Sequence, residues 1–495
     1  MAISSMRRSS RRRCTAEASA CSRASTRPIA ASSASVSALR LRRAYSARNA
    51  RPRALSESAA QSVRKASSLG AAGGLIASAK VSFGMCNPAR RSLTISRPDS
   101  GSHDGDMRPY TQMQVGFAPR LAALYAGLFI TGGIQLPFFP VWLKAKGLDP
   151  QMIGLVLAAP IVARMIAVPL VARAADRREA LRAAIIVTSF LSVAGFVLVG
   201  LAEGAWAILI AYTLAALALT PVMPLAETYA LKGLAARGRA YGPVRLWGSA
   251  AFILGTFVAG FATDTLPARY LIWLIAGASL LSAIAALALA PLSAATPPLS
   301  EPAKPRQHLL RDPAFIAVLA AASLIQASHA VYYGFSALQW RGAGLDGTAI
   351  AALWALGVIA EIVLFAVSGR LPPLFQPSVL LMIGALGGAL RWAAMALDPP
   401  ALVLPWLQLL HAASFGATHL GALGFVARHA PAGQSATAQG YLAIALGVVG
   451  AAATGLSGWL YGAFGSHAYA AMVLAAVAGG VCGYVAHRTR RVAAL

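Results

Sequence analysis

From Leu121 onward the chain is divided into apolar runs of about 20 residues, the length that crosses the hydrocarbon core of a bilayer, separated by short polar or Pro/Gly-marked loops. The runs lie near Leu121–Leu143, Ile153–Val171, Ala183–Ala202, Ala207–Leu231, Leu246–Ala262 and Tyr270–Ala290, then Ala314–Leu338, Ala349–Ser368, Val379–Leu397, Ala401–Val426, Ala438–Tyr461 and Ala468–Ala486. They predict an all-α membrane protein with twelve spans. Composition agrees, because 495 residues that are 57% hydrophobic and 12% charged carry more apolar surface than water-soluble domains can hide. The partner of most of the chain is therefore the lipid bilayer.

The net charge of +27 would point to nucleic acid in a soluble chain, but 20 of the 43 Lys and Arg fall in residues 1–112, against 5 acids. The excess is a basic tail plus membrane loops, and no nucleic-acid partner is expected. The tail is rich in Ser, Ala and Arg, the composition of a transit peptide, and lacks the apolar core of a secretory signal. Three readings stay open for residues 1–112: a start assigned too early, with Met107 or Met113 as the true one, an organelle address, or a disordered regulatory segment.

Basic residues orient the spans, since Lys and Arg favour cytoplasmic loops. One set of alternate loops and the C-terminal tail carries Arg173, Arg177, Arg178, Arg182, Lys232, Arg237, Arg239, Lys304, Arg306, Arg311, Arg370, Arg428, Arg488, Arg490 and Arg491, whereas the opposite loops carry Lys144, Lys146, Arg269 and Arg341. Both termini are expected in the cytoplasm. The Pro-rich stretch 291–313 reads as a cytoplasmic linker between a six-helix half at 113–290 and a second at 314–495.

Sliding the chain by 197 positions supports that division. Gly147-Leu148-Asp149 falls on Gly344-Leu345-Asp346, Lys144 on Arg341, Arg164 on Glu361 and Arg173 on Arg370. Because the matches fall on polar and turn residues, they indicate a parallel duplication, the architecture in which two halves rock about a central site.

The residues now carry a resemblance. Arg173 to Arg178 resembles a degraded form of the loop signature of the major facilitator superfamily, which implies that Asp176 and Arg177 pin a cytoplasmic gate. Arg245-Leu246-Trp247-Gly248-Ser249, Leu353-Trp354 with Gly357-Val358 and Ala360-Glu361, Leu390-Arg391-Trp392, and His411-Ala412 with Phe415-Gly416 and His419-Leu420 are similar to the phenylpropionate permease branch. That branch lies near lactose permease and the nucleoside–proton symporters. The resemblance implies proton-coupled symport of a small organic solute, such as an aromatic acid, in the cell inner (plasma) membrane. A sugar or nucleoside symporter is the alternative reading, and a membrane sensor that does not transport is another.

Ionisable groups deep in a span cost several kcal/mol unless paired or facing water. Two combinations are expected: Glu227 with Arg245, and Glu361 with Arg391, leaving Arg164 over. Glu227 and Arg245 either snorkel at the cytoplasmic rim or bind substrate, and the resemblance implies the second. Glu361, with Arg391 and His411, is the proton-coupling candidate. The resemblance implies a carboxylate one turn past His411, but Ser414 stands there, so that role does not carry over. Arg164, Arg245 and the aromatic residues Trp247, Tyr332, Tyr333, Trp354 and Trp392 are the substrate-binding candidates, a ring stacking while a guanidinium holds a carboxylate. Trp142 and Trp340 read as interfacial belt residues. His411 and His419 lack Cys or carboxylates at metal-ligand spacing, so neither metal nor cofactor is expected. No nucleotide loop or nucleophile elbow occurs, hence no enzyme. A monomer is expected.

Overall fold

Backbone polar groups in hydrocarbon have no water to bond, so apolar runs must satisfy them internally, and every described run of this chain is helical. The computed structural model describes residues 108–292, 308–372, 374–431 and 434–492; the expected N-terminal extension up to residue 107 and residues 293–307 of the expected linker lie outside them. The helices are α1 (Arg108–Ala145), α2 (Pro150–Arg177), α3 (Leu181–Leu201), α4 (Ala205–Ala235), α5 (Gly242–Thr265) and α6 (Leu271–Leu287). They continue with α7 (Pro313–Gly342), α8 (Gly347–Val367), α9 (Pro377–Met395), α10 (Leu404–His429), α11 (Ser435–Phe464) and α12 (Tyr469–Val492). Among the described residues, eleven stretches are long and apolar enough to cross a membrane. Twelve were expected from the sequence. The difference arises at the end, where Ser435–Arg490 is one stretch of 56 residues. Only a 3-10 turn at Gly465–Ala468, with Gly465 at φ +56°, separates α11 from α12.

The repeated sequence Gly-Leu-Asp makes the same turn twice. Gly147 (φ +86°) and Gly344 (φ +90°) take the left-handed conformation that ends α1 and α7. Leu148 N–H then returns to the Leu143 carbonyl at 3.1 Å, and Leu345 N–H to the Trp340 carbonyl at 3.0 Å. Asp149 and Asp346 N-cap the next helices, accepting from Met152 N–H at 2.7 Å and Ala349 N–H at 2.6 Å. The repeated residues thus build the same turn and the same cap at both places.

Packing differs between the two ends of the bundle. Toward these turns one apolar cluster draws on both sets of helices, with Trp142, Ile153 and Ala259 beside Tyr332, Ile350 and Tyr469. Toward the other end there are two clusters. Phe117, Tyr125, Tyr229 and Ala286 belong to α1–α6, whereas Phe315, Leu381, Phe425 and Ala486 belong to α7–α12. Near the turns, α1–α6 and α7–α12 approach each other closely at two crossings. A Cβ on Gly154 of α2 would lie 2.7 Å from the Gly458 nitrogen of α11, and one on Gly260 of α5 would lie 2.8 Å from Ala351 Cβ of α8. Asp264, at the end of α5, accepts from the N–H groups of Gly347 (2.6 Å) and Thr348 (3.0 Å) and so caps α8 from outside its own chain segment.

Trp142 and Trp340 are 0% and 2% exposed, which corrects the expectation of an interfacial belt. Trp142 stacks on Phe139 at 5.5 Å and donates to the Arg269 carbonyl at 3.1 Å, so it fixes a loop from inside.

Candidate functional site

Three helices lose α-helical continuity at mid-length. α4 breaks at Thr220 and Pro221, α7 breaks at Ser328 and His329, and α10 contains a π-helical turn over Ala412–Ala417. Such interruptions inside a membrane belong where protein or a cavity receives the freed backbone groups. π turns of this kind often mark functional sites. All three interruptions adjoin polar side chains.

In α7–α12 the polar centre is Arg391, which is 0% exposed. Its Nη2 donates to Gln408 Oε1 at 2.6 Å and its Nη1 to His411 Nδ1 at 3.0 Å. The guanidinium also lies 4.3 Å from the Tyr332 ring and 4.7 Å from the Trp392 ring. Arginine can only donate, so His411 Nδ1 must be an acceptor and the neutral ring carries its proton on Nε2. Nε2 faces Glu361 Oε2 at 3.7 Å, a contact longer than a hydrogen bond. Gly357 and Gly416 allow this approach: Gly357 faces the His411 side chain, and a Cβ on Gly416 would lie 3.6 Å from Glu361 Cγ. A chain Glu361, His411, Arg391, Gln408 results, and Tyr332 Oη adds its bond to Gln408 Oε1 at 3.0 Å.

Beside it, His329 donates from Nδ1 to the carbonyls of Ile325 and Gln326, both at 3.2 Å. Its Nε2 therefore accepts from Ser414 Oγ at 3.1 Å. Trp392 Nε1 donates to Ser328 Oγ at 2.9 Å. The rings of His411, Phe415 and His419 stack in a column at 5.2 and 6.2 Å.

In α1–α6, Arg164 is exposed on α2 and lines a cavity of about 300 Å³ with Phe129, Gln135, Thr220, Met223 and Phe252. Gln135 Nε2 donates to Tyr212 Oη at 2.5 Å. The Arg245 guanidinium lies 4.0 Å from the Phe129 ring and 5.8 Å from that of Tyr125. Phe129 thus both lines the cavity and carries a cation against its ring. Tyr125 in turn contacts Tyr241, hydroxyl to hydroxyl, at 3.5 Å.

These positions amend several expectations. Glu361 does not pair directly with Arg391; His411 stands between them. Glu227 is half-buried and makes no ion pair with Arg245 among the described residues, because Arg245 lies on the α1 aromatics instead. Trp247 does not adjoin Arg245. Two residues along a helix turn about 200°, and Trp247 is 63% exposed on the opposite flank of α5. Tyr332, Trp354 and Trp392 are at most 4% exposed, with Tyr332 stacked on Trp354 at 4.7 Å, so they offer no free ring face. Tyr333 is half-buried, 5.6 Å from His329. Asp176 and Arg177 are exposed at the end of α2 and have no side-chain partner among the described residues.

Gln408, Gln135 and the π turn escaped the sequence reading. An amide does not register in a search for charges, although Gln408 stands one turn before His411 in an otherwise apolar run, and that spacing was a usable signal.

Interrupted membrane helices around buried charge, and a separate, largely apolar cavity bordered by Arg164, fit a multi-pass membrane transporter for a small molecule. Residues 119–492 match the MFS_1 like family. The chain belongs to that family, within the major facilitator superfamily. It is 34% identical over 373 residues to the probable 3-phenylpropionic acid transporter of Escherichia coli (strain K12), covering 72% of this chain and 94% of that one. It is 27% identical over 343 residues to the maltose permease of Geobacillus stearothermophilus, covering 68% and 83%. Among solved structures it shares the fold of the nucleoside transporter NupG, with TM-score 0.64 and 16% identity over 75% of this chain and 98% of that one. It shares the fold of a D-xylose-proton symporter as well, with TM-score 0.54 and 15% identity over 73% and 96%.

Proposed function

We propose that this secondary transporter is a proton symporter of a small organic anion, an aromatic acid first, working by alternating access. The observation that carries the reading is a division of labour. One cavity is bordered by Arg164 and by the Phe129 ring beneath Arg245, whereas the only membrane carboxylate touching a histidine, among the described residues, is Glu361. Arg164 and Arg245 hold the anion, Phe129 and Tyr333 face its ring, and Glu227 is the resting counter-charge nearby. Tyr332, Trp354 and Trp392 form the packed wall behind Arg391, and Trp247 has no part. Glu361 takes the proton, with His411 and Arg391 reporting its charge. The likeness to a 3-phenylpropionic acid transporter supports an aromatic acid. The likeness to a maltose permease favours sugar as the second reading.

In this reading α11 and α12 are two spans, giving twelve helices in halves at 113–290 and 314–495, with the 291–313 linker and both termini in the cytoplasm of the inner (plasma) membrane. The shared core closes the outer side, the separated cores leave the inner side open, and Asp176 and Arg177 border the inner gate. One monomer suffices. The test is uptake of labelled aromatic acids, sugars and nucleosides into proteoliposomes with and without a pH gradient. Sugar uptake alone would shift the reading to the second class, and acid uptake indifferent to pH would remove the proton.

Arg245→Lys probes the anion site. Only a guanidinium can lie flat on Phe129 and grip a carboxylate with two parallel bonds. Half-saturation for an acid is expected to rise about tenfold, or ~1.4 kcal/mol. Unchanged affinity would release Arg245 from the site.

A further inference from the structure

A second cavity, of about 350 Å³, lies between α9 and α12, floored by Ala385, Ala389 and Gly480 and walled by Met382, Val477 and Tyr484. We infer that it holds an acyl chain of an anionic glycerophospholipid whose phosphate meets Arg488.

The hollow exists because the two helices are close but small-sided. A Cβ on Gly480 would lie 2.9 Å from Ala385 Cβ, and one on Gly388 3.4 Å from Ala476 Cβ. Larger residues stand outside this floor, with Leu386 61%, Val481 58% and Tyr484 51% exposed. The groove therefore opens sideways between membrane helices. Its apolar lining gives water no partners, and leaving it empty forfeits dispersion contacts along its whole length. Hydrocarbon is the occupant the bilayer supplies.

Length and charge narrow the class. Val477, Val481, Tyr484 and Arg488 follow one another at one-turn steps on one face of α12. From Val477 to Arg488 the helix rises roughly 16 Å, about half of the ~30 Å hydrocarbon core. The groove, lined on α12 from Val477 to Tyr484, covers roughly 10 Å of that rise, and Arg488 stands one turn beyond its end on the same face. That cation is unengaged: Arg488 is exposed and has no partner among the described residues. Its neighbours are occupied, Arg490 by Asp312 and the Phe425 ring, and His487 by Ser378 Oγ at 2.9 Å. The Tyr484 hydroxyl, also without a partner among the described residues, adds a donor one turn below. A phosphate-bearing headgroup matches both. A juxtamembrane Arg contributes about 1 kcal/mol toward an anionic lipid, so the class is anionic rather than zwitterionic.

The test is native mass spectrometry of the full-length chain from nanodiscs holding equal palmitoyl-oleoyl phosphatidylglycerol and phosphatidylcholine. One phosphatidylglycerol per chain is expected to stay bound at activation energies that strip phosphatidylcholine. Arg488→Gln should lower that preference about fivefold while leaving the groove able to hold either lipid. Ala389→Leu and, independently, the more exposed Val481→Phe should reduce retention of both, with melting temperatures confirming a folded chain. The proposal fails if no lipid is retained above bulk, if R488Q keeps the full preference, or if both filled variants retain lipid like the parent.

Discussion

In vesicles carrying E361Q, an imposed pH gradient is expected to drive no accumulation of solute, while exchange of solute across the membrane continues. Glu361 is half-buried on α8 and meets His411 Nε2 at 3.7 Å, and the other ring nitrogen accepts from fully buried Arg391. A charge such as Arg391 inside a bundle needs a counter-charge, and leaving it uncompensated costs several kcal/mol. In the proposed mechanism Glu361 supplies one across His411, which lies between the two groups. Protonation of Glu361 withdraws it and so changes the energy of every arrangement that keeps Arg391 buried. Glutamine keeps the size of the side chain and fixes the uncharged state. The cycle should then run without a proton. With a tenfold proton gradient and one proton per solute, the accumulation ratio should fall from about ten to about one, since each pH unit carries ~1.4 kcal/mol. Accumulation that keeps its normal pH dependence in E361Q would move the proton to another group, Glu227 first.

The polar and turn residues of the sequence were more informative than its apolar ones. Gly147-Leu148-Asp149 and Gly344-Leu345-Asp346 could be read directly because a positive φ and an N-cap are local demands, and both are met within a few residues. Ionisable groups at membrane depth were legible for the opposite reason: they are costly wherever they stand. Which of them touch was not legible. Arg245 lies over Phe129 and not against Glu227, and His411 separates Glu361 from Arg391. Those choices depend on helix rotation and on the π turn at Ala412–Ala417, which shifts the side-chain register of α10 and has no strong sequence mark. Trp142 and Trp340 misled because an aromatic near a helix end reads the same whether it faces the interface or a neighbouring loop.

Gly458→Leu is expected to cut transport to about a tenth or less, whereas Gly450→Leu, two turns earlier on α11, should transport normally. The two glycines differ in what surrounds them. A Cβ on Gly450 meets nothing within 4 Å, but one on Gly458 would lie 3.0 Å from Gly154 Cα and would overlap the Pro150 carbonyl oxygen of α2. This crossing has a counterpart at Gly260 and Gly347, where α5 meets α8. The offset of 197 carries Pro150 to Gly347, and the partners Gly260 and Gly458 match within one residue of it. Both crossings lie at the end where one apolar core draws on α1–α6 and α7–α12 together. A side chain inserted there must push backbone aside, and overpacking of this kind costs about 1–3 kcal/mol. Near the upper figure the closed end loses roughly a hundredfold in population against forms in which the two cores separate. The proposed alternating-access cycle needs that end both to open and to close, so a shift in either direction slows it. Ser457, 0% exposed beside the crossing, supplies a second readout that does not depend on transport. A cysteine in its place should resist an impermeant maleimide in the parent and react in Gly458→Leu. If Gly458→Leu transports as well as Gly450→Leu and leaves that cysteine protected, the crossing is filler rather than a closing surface.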